Sequence, residues 1–249
     1  MRSKIKKWIT SVLNQNVLEL VPGSSLLENA KISSSFIKGK INADKGLFIS
    51  GATINADCKF GQGVRLTEVK LKGIVEIGNH CKIINGVDLD GTVYIGNYTS
   101  INGPNTDIKT LLNPVRIGSF CSIARNVTFQ EYNHDYTRMT TYLVNLNLLG
   151  GIQQQDVISN GEIIVGNDVW IGSHAVILSG AKIGTGSVIA ANSVVTGEIP
   201  PYAIAAGSPA KVIKYRFDEE TIKNLLASEW WLKPKEEIVE LYKKFGNKN

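Results

Sequence analysis

Aliphatic residues recur every six positions through much of this chain. That spacing fits neither the helical period of about 3.6 nor the strand period of about 2. The longest run is Val165, Ile171, Ile177, Ile183, Ile189 and Val195, and four residues after each of the first five stands Val169, Ala175, Ala181, Ser187 or Ser193. Each hexapeptide predicts one short strand and one corner. The branched residue points to a common axis, and the small one sits where backbones close in. Weaker runs extend the register upstream: Phe48, Ile54, Phe60 and Leu66; Ile77, Ile83, Leu89, Ile95 and Ile101; Ile117, Ile123 and Phe129. Glycines follow many inward residues (Gly61, Gly78, Gly96, Gly118, Gly166, Gly172, Gly184), with Asn79, Asn97 and Asn167 beside three of them. They read as corner positions that take positive φ. The pattern is that of an all-β solenoid. An antiparallel sandwich would show alternation and hairpin dipeptides instead.

The phase breaks over 102–116, which hold Pro104 and Pro114, and for longer over 135–162. Insertions leave a solenoid as loops, often on its binding face. The longer one carries Tyr136, Met139, Tyr142, Leu143, Leu146, Leu148 and Leu149, which predicts packing against another surface, such as a neighbouring subunit. Residues 1–20 predict a basic amphipathic helix, with Ile5, Trp8, Ile9, Val12 and Leu13 on one face and Lys4, Lys6 and Lys7 off it. It either packs on the solenoid or a partner, or makes peripheral contact with a membrane surface. No apolar run is long enough to span a bilayer. The expected solenoid occupies 30–216, and helices follow over 217–249. Asp218 caps one carrying Ile222, Leu225, Leu226 and Trp230, and Pro234 opens another with Ile238, Leu241, Tyr242 and Phe245.

The formal net charge of +5 and the pI of about 9.0 suit an anionic small ligand. No aromatic-rich basic motif points to nucleic acid. Cys58, Cys81 and Cys121 all fall at the small inward position of a hexapeptide and read as core packing in a reducing cytoplasm.

Of three histidines, His80 and His174 lie inside regular repeats and should point outward at corners. His134 stands where the repeat stops and the long loop departs, and an imidazole there can accept a proton or bond to backbone. No paired spacing of these histidines supplies a zinc site, and no metal is required by the reading. No Gly-x-Ser-x-Gly elbow or phosphate loop is present.

The segment 163–231 resembles the hexapeptide-repeat acetyltransferases. The resemblance rests on Gly166, Asp168-Val169-Trp170-Ile171-Gly172-Ser173, Ala190-Ala191-Asn192-Ser193-Val194-Val195, Ile199-Pro200-Pro201-Tyr202-Ala203 and Gly207-Ser208-Pro209-Ala210-Lys211-Val212-Ile213. Arg216-Phe217-Asp218-Glu219-Glu220-Thr221-Ile222 with Trp230-Trp231 is similar to the branch of xenobiotic and polysaccharide O-acetyltransferases. The resemblance implies a left-handed parallel β-helix, although the usual crossover rule favours the other hand. It also implies a homotrimer with acetyl-CoA between subunits and His134 as the catalytic base. Cofactor contacts are implied at Trp170, Ser173, Ala191, Thr196, Lys211 and Lys214. Gly197 departs from the lysine that relatives often carry there. Thr137-Arg138-Met139-Thr140-Thr141-Tyr142 departs from the xenobiotic pattern and turns the expectation towards a saccharide acceptor.

The expected reaction is direct acetyl transfer to a saccharide hydroxyl in surface polysaccharide synthesis, with Asn102, Glu131, Asn133 and Asp135 as acceptor contacts. The alternatives are N-acetylation of an amino-sugar nucleotide, O-acetylation of an antibiotic and a non-catalytic trimeric scaffold.

Overall fold

The computed structural model describes residues 17–246 apart from 21, 27 and 28. The chain winds as a parallel β-solenoid with three faces. The first face begins with Lys31–Ser33, the second with Val17–Leu20 followed by Phe36–Gly39, and the third with Ser25–Leu26 followed by Ile41–Ala43. The first face is a ten-stranded sheet. The second and third join in a fifteen-stranded sheet, because Thr53–Phe60, Lys70–Ile77 and Val87–Ile95 run around the corner between them.

Register partners stack one inward residue per coil. On the first face Ile32, Ile49, Leu66, Ile83, Ile101, Ile123, Ile171 and Ile189 form one column. Most of these are fully buried. Each such side chain stabilises the fold by about 1.5–3 kcal/mol relative to exposure. The small corner residues Val169, Ala175, Ala181, Ser187 and Ser193 are buried as expected.

Four expectations are corrected. Phe48 does not point inward; Ile49 does. The early coils hold 17 residues, as the pairs Ile32↔Ile49, Ile49↔Leu66 and Leu66↔Ile83 show, so one corner is a residue short and the hexad slips there. The glycines after inward residues (Gly61, Gly78, Gly96, Gly118, Gly166, Gly172, Gly184) do not take positive φ. They are glycine because the next coil is too near: a Cβ on Gly118 would lie 2.5 Å from the carbonyl oxygen of Gly166. Asn79, Asn97 and Asn167 do not adopt that conformation either. Their side-chain oxygens accept hydrogen bonds from the backbone N–H of Gln62, Asn79 and Ser119 on the preceding coil. The left-handed residues at this corner include Gly63, His80, Tyr98, Phe120 and Asp168. His80, Tyr98 and Phe120 stack there, with centroids 5.1 and 4.9 Å apart. Residues 102–116 are also no simple break, since Thr106–Lys109 forms a further rung with Ile108 buried inside.

The amphipathic stretch of residues 1–16 lies outside the described residues, and Val17–Leu20, the end of that expected helix, is a strand paired with Phe36–Gly39. At the other end Ala203–Ala206 pairs antiparallel with Lys211–Tyr215. Helices follow at Glu219–Ser228, capped by the Asp218 side chain, which accepts from the Thr221 N–H at 2.8 Å, and at Lys235–Gly246. Trp230 folds back onto Phe120 at 5.1 Å and extends the aromatic stack. No helix among the described residues is long and apolar enough to cross a membrane.

Candidate active site

His134 sits at the corner between the second and third faces, just past Thr128–Gln130. Asn133–His134 pairs antiparallel with Val157–Ile158, so the long insertion leaves and returns through a two-stranded neck. The exposed imidazole is oriented: Nδ1–H donates to the carbonyl oxygen of Thr141 at 2.6 Å. That bond leaves the Nε2 lone pair facing outward, and no hydrogen bond to Nε2 forms among the described residues.

Carboxylates hold the neck. Asp135 accepts from the Thr137 N–H and hydroxyl at 3.0 and 2.6 Å and from Arg138 Nε at 2.8 Å. Arg138 reaches on to Asp156 at 3.6 Å, and Asp156 accepts from the N–H groups of Asn145 and Leu146 at the start of the short helix Val144–Asn147. Hydrogen bonds from Thr137 and Arg138 hold the Asp135 carboxyl below its ordinary range. Glu131 is fully buried, and its oxygens accept from Leu111 N–H, Leu112 N–H and Asn113 Nδ2 at 3.0, 2.9 and 2.9 Å. Burial opposes its ionisation, yet bonds from Ser159, Leu111, Asn113 and Leu112 outweigh burial and hold its pKa down.

Two expected acceptor contacts are thereby corrected. Glu131 and Asp135 spend their lone pairs on the loops that carry His134, not on a surface open to an acceptor. Asn133 is exposed beside His134, with Nδ2 3.5 Å from Ser179 Oγ one coil on. Asn102 lies away from these residues, at the corner between the first and second faces, accepting from Asn85 Nδ2 at 2.7 Å.

The expected cofactor contacts divide between two corners. Thr196 shares the corner of His134, two rungs further along. Ser173 and Ala191 stack on the corner between first and second faces, where the Asn192 N–H donates to the Ser173 carbonyl at 3.0 Å. Trp170 stands on the first face, 57% exposed, and Lys211 and Lys214 lie on the exposed antiparallel strand that ends that face. Small side chains leave the backbone at the Ser173–Ala191 corner open, and the exposed lysines suit phosphates. This set fits a nucleotide-bearing thioester. His80 and His174 occupy separate exposed corners, so the three histidines do not converge.

The residues missed from sequence are Thr141, Arg138 and Asp156. Asp135-x-Thr137-Arg138 carries a local turn signal. Asp156 caps a helix that precedes it by ten residues, and no sequence rule reads that.

The family description "Bacterial transferase hexapeptide (six repeats)" matches residues 162–197. The chain is 43% identical over 130 residues to a probable macrolide acetyltransferase of Lysinibacillus sphaericus, covering 50% of this chain and 72% of that protein. It is 41% identical over 135 residues to a chloramphenicol acetyltransferase of Morganella morganii, covering 49% of this chain and 61% of the relative. A solved hexapeptide-repeat acetyltransferase of Vibrio cholerae O1 biovar eltor, complexed with acetyl coenzyme A, is 32% identical with a TM-score of 0.43, covering 51% of this chain and 62% of that one. The last two matches span just under two thirds of the relatives' own length. The family model and the 43% identity over 72% of the Lysinibacillus protein define the class: this chain belongs to the hexapeptide-repeat acetyltransferases, enzymes of acyl transfer.

Proposed function

We propose that this protein transfers an acetyl group from acetyl-CoA to a hydroxyl of a saccharide, with His134 as general base, in a homotrimer. The observation that carries the reading is the oriented imidazole. Its Nδ1–H is held by the Thr141 carbonyl, which fixes the tautomer that leaves Nε2 as proton acceptor. A hydroxyl is a weak nucleophile until a base removes its proton during attack. Nε2 takes that proton as the oxygen attacks the acyl carbon, and the imidazolium then returns it to the leaving thiolate. Acetyl-CoA supplies the activated acyl group. Trp170, Ser173, Ala191, Lys211 and Lys214 would hold it from one subunit, with Thr196 and His134 from the next. Backbone N–H groups at the corners can stabilise the developing oxyanion.

A covalent cysteine route has no support. Burial pushes the Cys58, Cys81 and Cys121 thiols up to about 12, 11 and 12, so none is a ready thiolate.

A second reading, an antibiotic hydroxyl as acceptor, is favoured by the names of the relatives. The deciding experiment measures thiol release from acetyl-CoA with saccharide, amino-sugar nucleotide, macrolide and chloramphenicol acceptors, wild type beside His134→Ala. Saccharide turnover that falls about a hundredfold or more in the variant is the expected result. Turnover confined to an antibiotic or an amine moves the acceptor. Turnover that survives His134→Ala removes the base.

A further inference from the structure

Charge is distributed unequally over the three faces. On the second face Lys38 pairs with Glu19, Lys72 with Asp90 and Lys109 with Asp88. On the third, Lys59 pairs with Glu76 and Arg116 with Glu162. The strands of the first face contain no aspartate or glutamate at all. Their outward column reads Lys31, Phe48, Arg65, Lys82, each the register partner of the next. The three cations are exposed and form no ion pair among the described residues, although Asp44 and Glu68 stand at the flanking corners.

Arg65 and Lys82 are direct cross-strand partners. Strands lie about 4.8 Å apart, and like charges at that position weaken a sheet. The guanidinium of Arg65 is also fixed, 4.7 Å above the ring of Phe48. An outward phenylalanine that holds an unneutralised arginine beside an unneutralised lysine does little for the fold, and it prepares a site for anions. The same column continues through Ser100 and Ser122 to Trp170, three rungs or about 14 Å beyond Lys82.

We propose that the column Lys31–Phe48–Arg65–Lys82 binds an extended acidic glycan, its carboxylates or phosphates spaced along the solenoid axis, and leads it towards the transfer site. The inference rests on the saccharide reading above and names the acceptor's charge. A glycan fits better than a membrane because the cations form a single narrow line with hydroxyls of Ser33, Ser50 and Thr67 beside it on the same strands.

The test is affinity electrophoresis in gels containing polygalacturonate, or neutral dextran as control. The wild type is run beside the double variant R65Q/K82Q and the charge-matched double variant K59Q/K72Q. All four side chains are exposed, and circular dichroism checks folding. Expected are retardation by polygalacturonate alone, retention of it by K59Q/K72Q, and affinity about tenfold weaker in R65Q/K82Q. Equal retardation of the two double variants would reduce the effect to net charge and overturn the proposal. So would retardation by dextran. Co-sedimentation with phosphatidylglycerol vesicles that depends on Arg65 and Lys82, without polygalacturonate binding, would assign the column to a membrane instead. Binding is read without turnover, so a strip that fails leaves the transferase reading standing. A strip that binds while thiol release stays silent on every saccharide overturns only that reading.

Discussion

Replacing Glu131 with glutamine separates a positioning role from an acceptor contact. The side chain keeps its volume. Its one remaining oxygen can still meet the N–H groups of Leu111 and Leu112, while its new amide nitrogen faces Asn113 Nδ2, donor against donor. One charge-assisted bond is lost and two fall to neutral strength, a cost of about 3 kcal/mol. For a chain of this length that lowers Tm by about 6–12 °C. The sign with pH follows from the depressed pKa. A carboxylate held below its ordinary value of 4.5 stabilises the fold above that pH, and the contribution is lost as pH falls through the lower folded value. The gap between wild type and variant should therefore be full at neutral pH and close in acid. The measurement is thermal unfolding by circular dichroism at one protein concentration, with acceptor kinetics alongside. A Tm within about 2 °C of wild type together with a raised acceptor KM would refute the reasoning and restore Glu131 as an acceptor contact.

Two further substitutions and a labelling experiment probe the scaffold. Gly118→Ala places a Cβ 2.5 Å from a backbone oxygen of the next coil and should destabilise the fold by about 2 kcal/mol or more, whereas Gly197→Ala meets nothing within 4 Å and should leave Tm unchanged. A tolerated Gly118→Ala would mean the coils are less tightly stacked than described. The native protein should resist iodoacetamide at pH 8 and label only when unfolded, because its thiols titrate at about 11 to 12. Rapid native labelling of Cys121 would contradict its burial.

Much of the solenoid was legible because the six-residue period states which residue meets the axis. Ile123, Phe129 and the whole run from Val165 to Val195 are buried as the period requires. What escaped were changes in coil length. A 17-residue coil moves the inward position from Phe48 to Ile49, and nothing local to that pair marks which corner is short. His134 was legible as the point where the repeat stops. Its orientation was not, because the partner is a backbone carbonyl seven residues on, inside an irregular loop. Glu131 misled for a related reason. Acidic residues beside a candidate base look like substrate contacts, and only burial shows that this one is spent on backbone N–H groups. The insertion's apolar residues were expected to pack, on a neighbouring subunit among other surfaces, and in the single chain Met139 is 100% and Leu149 70% exposed, which leaves them open to such a neighbour.

The division of the site between corners has its own consequence. His134 and Thr196 stand at one edge of the second face, and Ser173 and Ala191 at the other. The strand between them, five or six residues at about 3.3 Å each, spans roughly 17–20 Å. In the homotrimer proposed above, neighbouring copies would meet edge to edge around a closed ring, so that one thioester touches the His134 edge of one copy and the Ala191 edge of the next. Subunit mixing tests this. His134→Ala removes one half-site, and Ala191→Trp obstructs the other with a bulky group on an exposed corner. Each variant alone should be nearly inactive. Co-refolded in equal amounts, an interface works only when an intact Ala191 corner meets an intact His134 corner. Each condition holds for half the subunits, so activity should return to about one quarter of wild type. Recovery near that level requires a shared site. Full inactivity of the mixture, with both variants shown to assemble together, would mean that each chain completes its site alone.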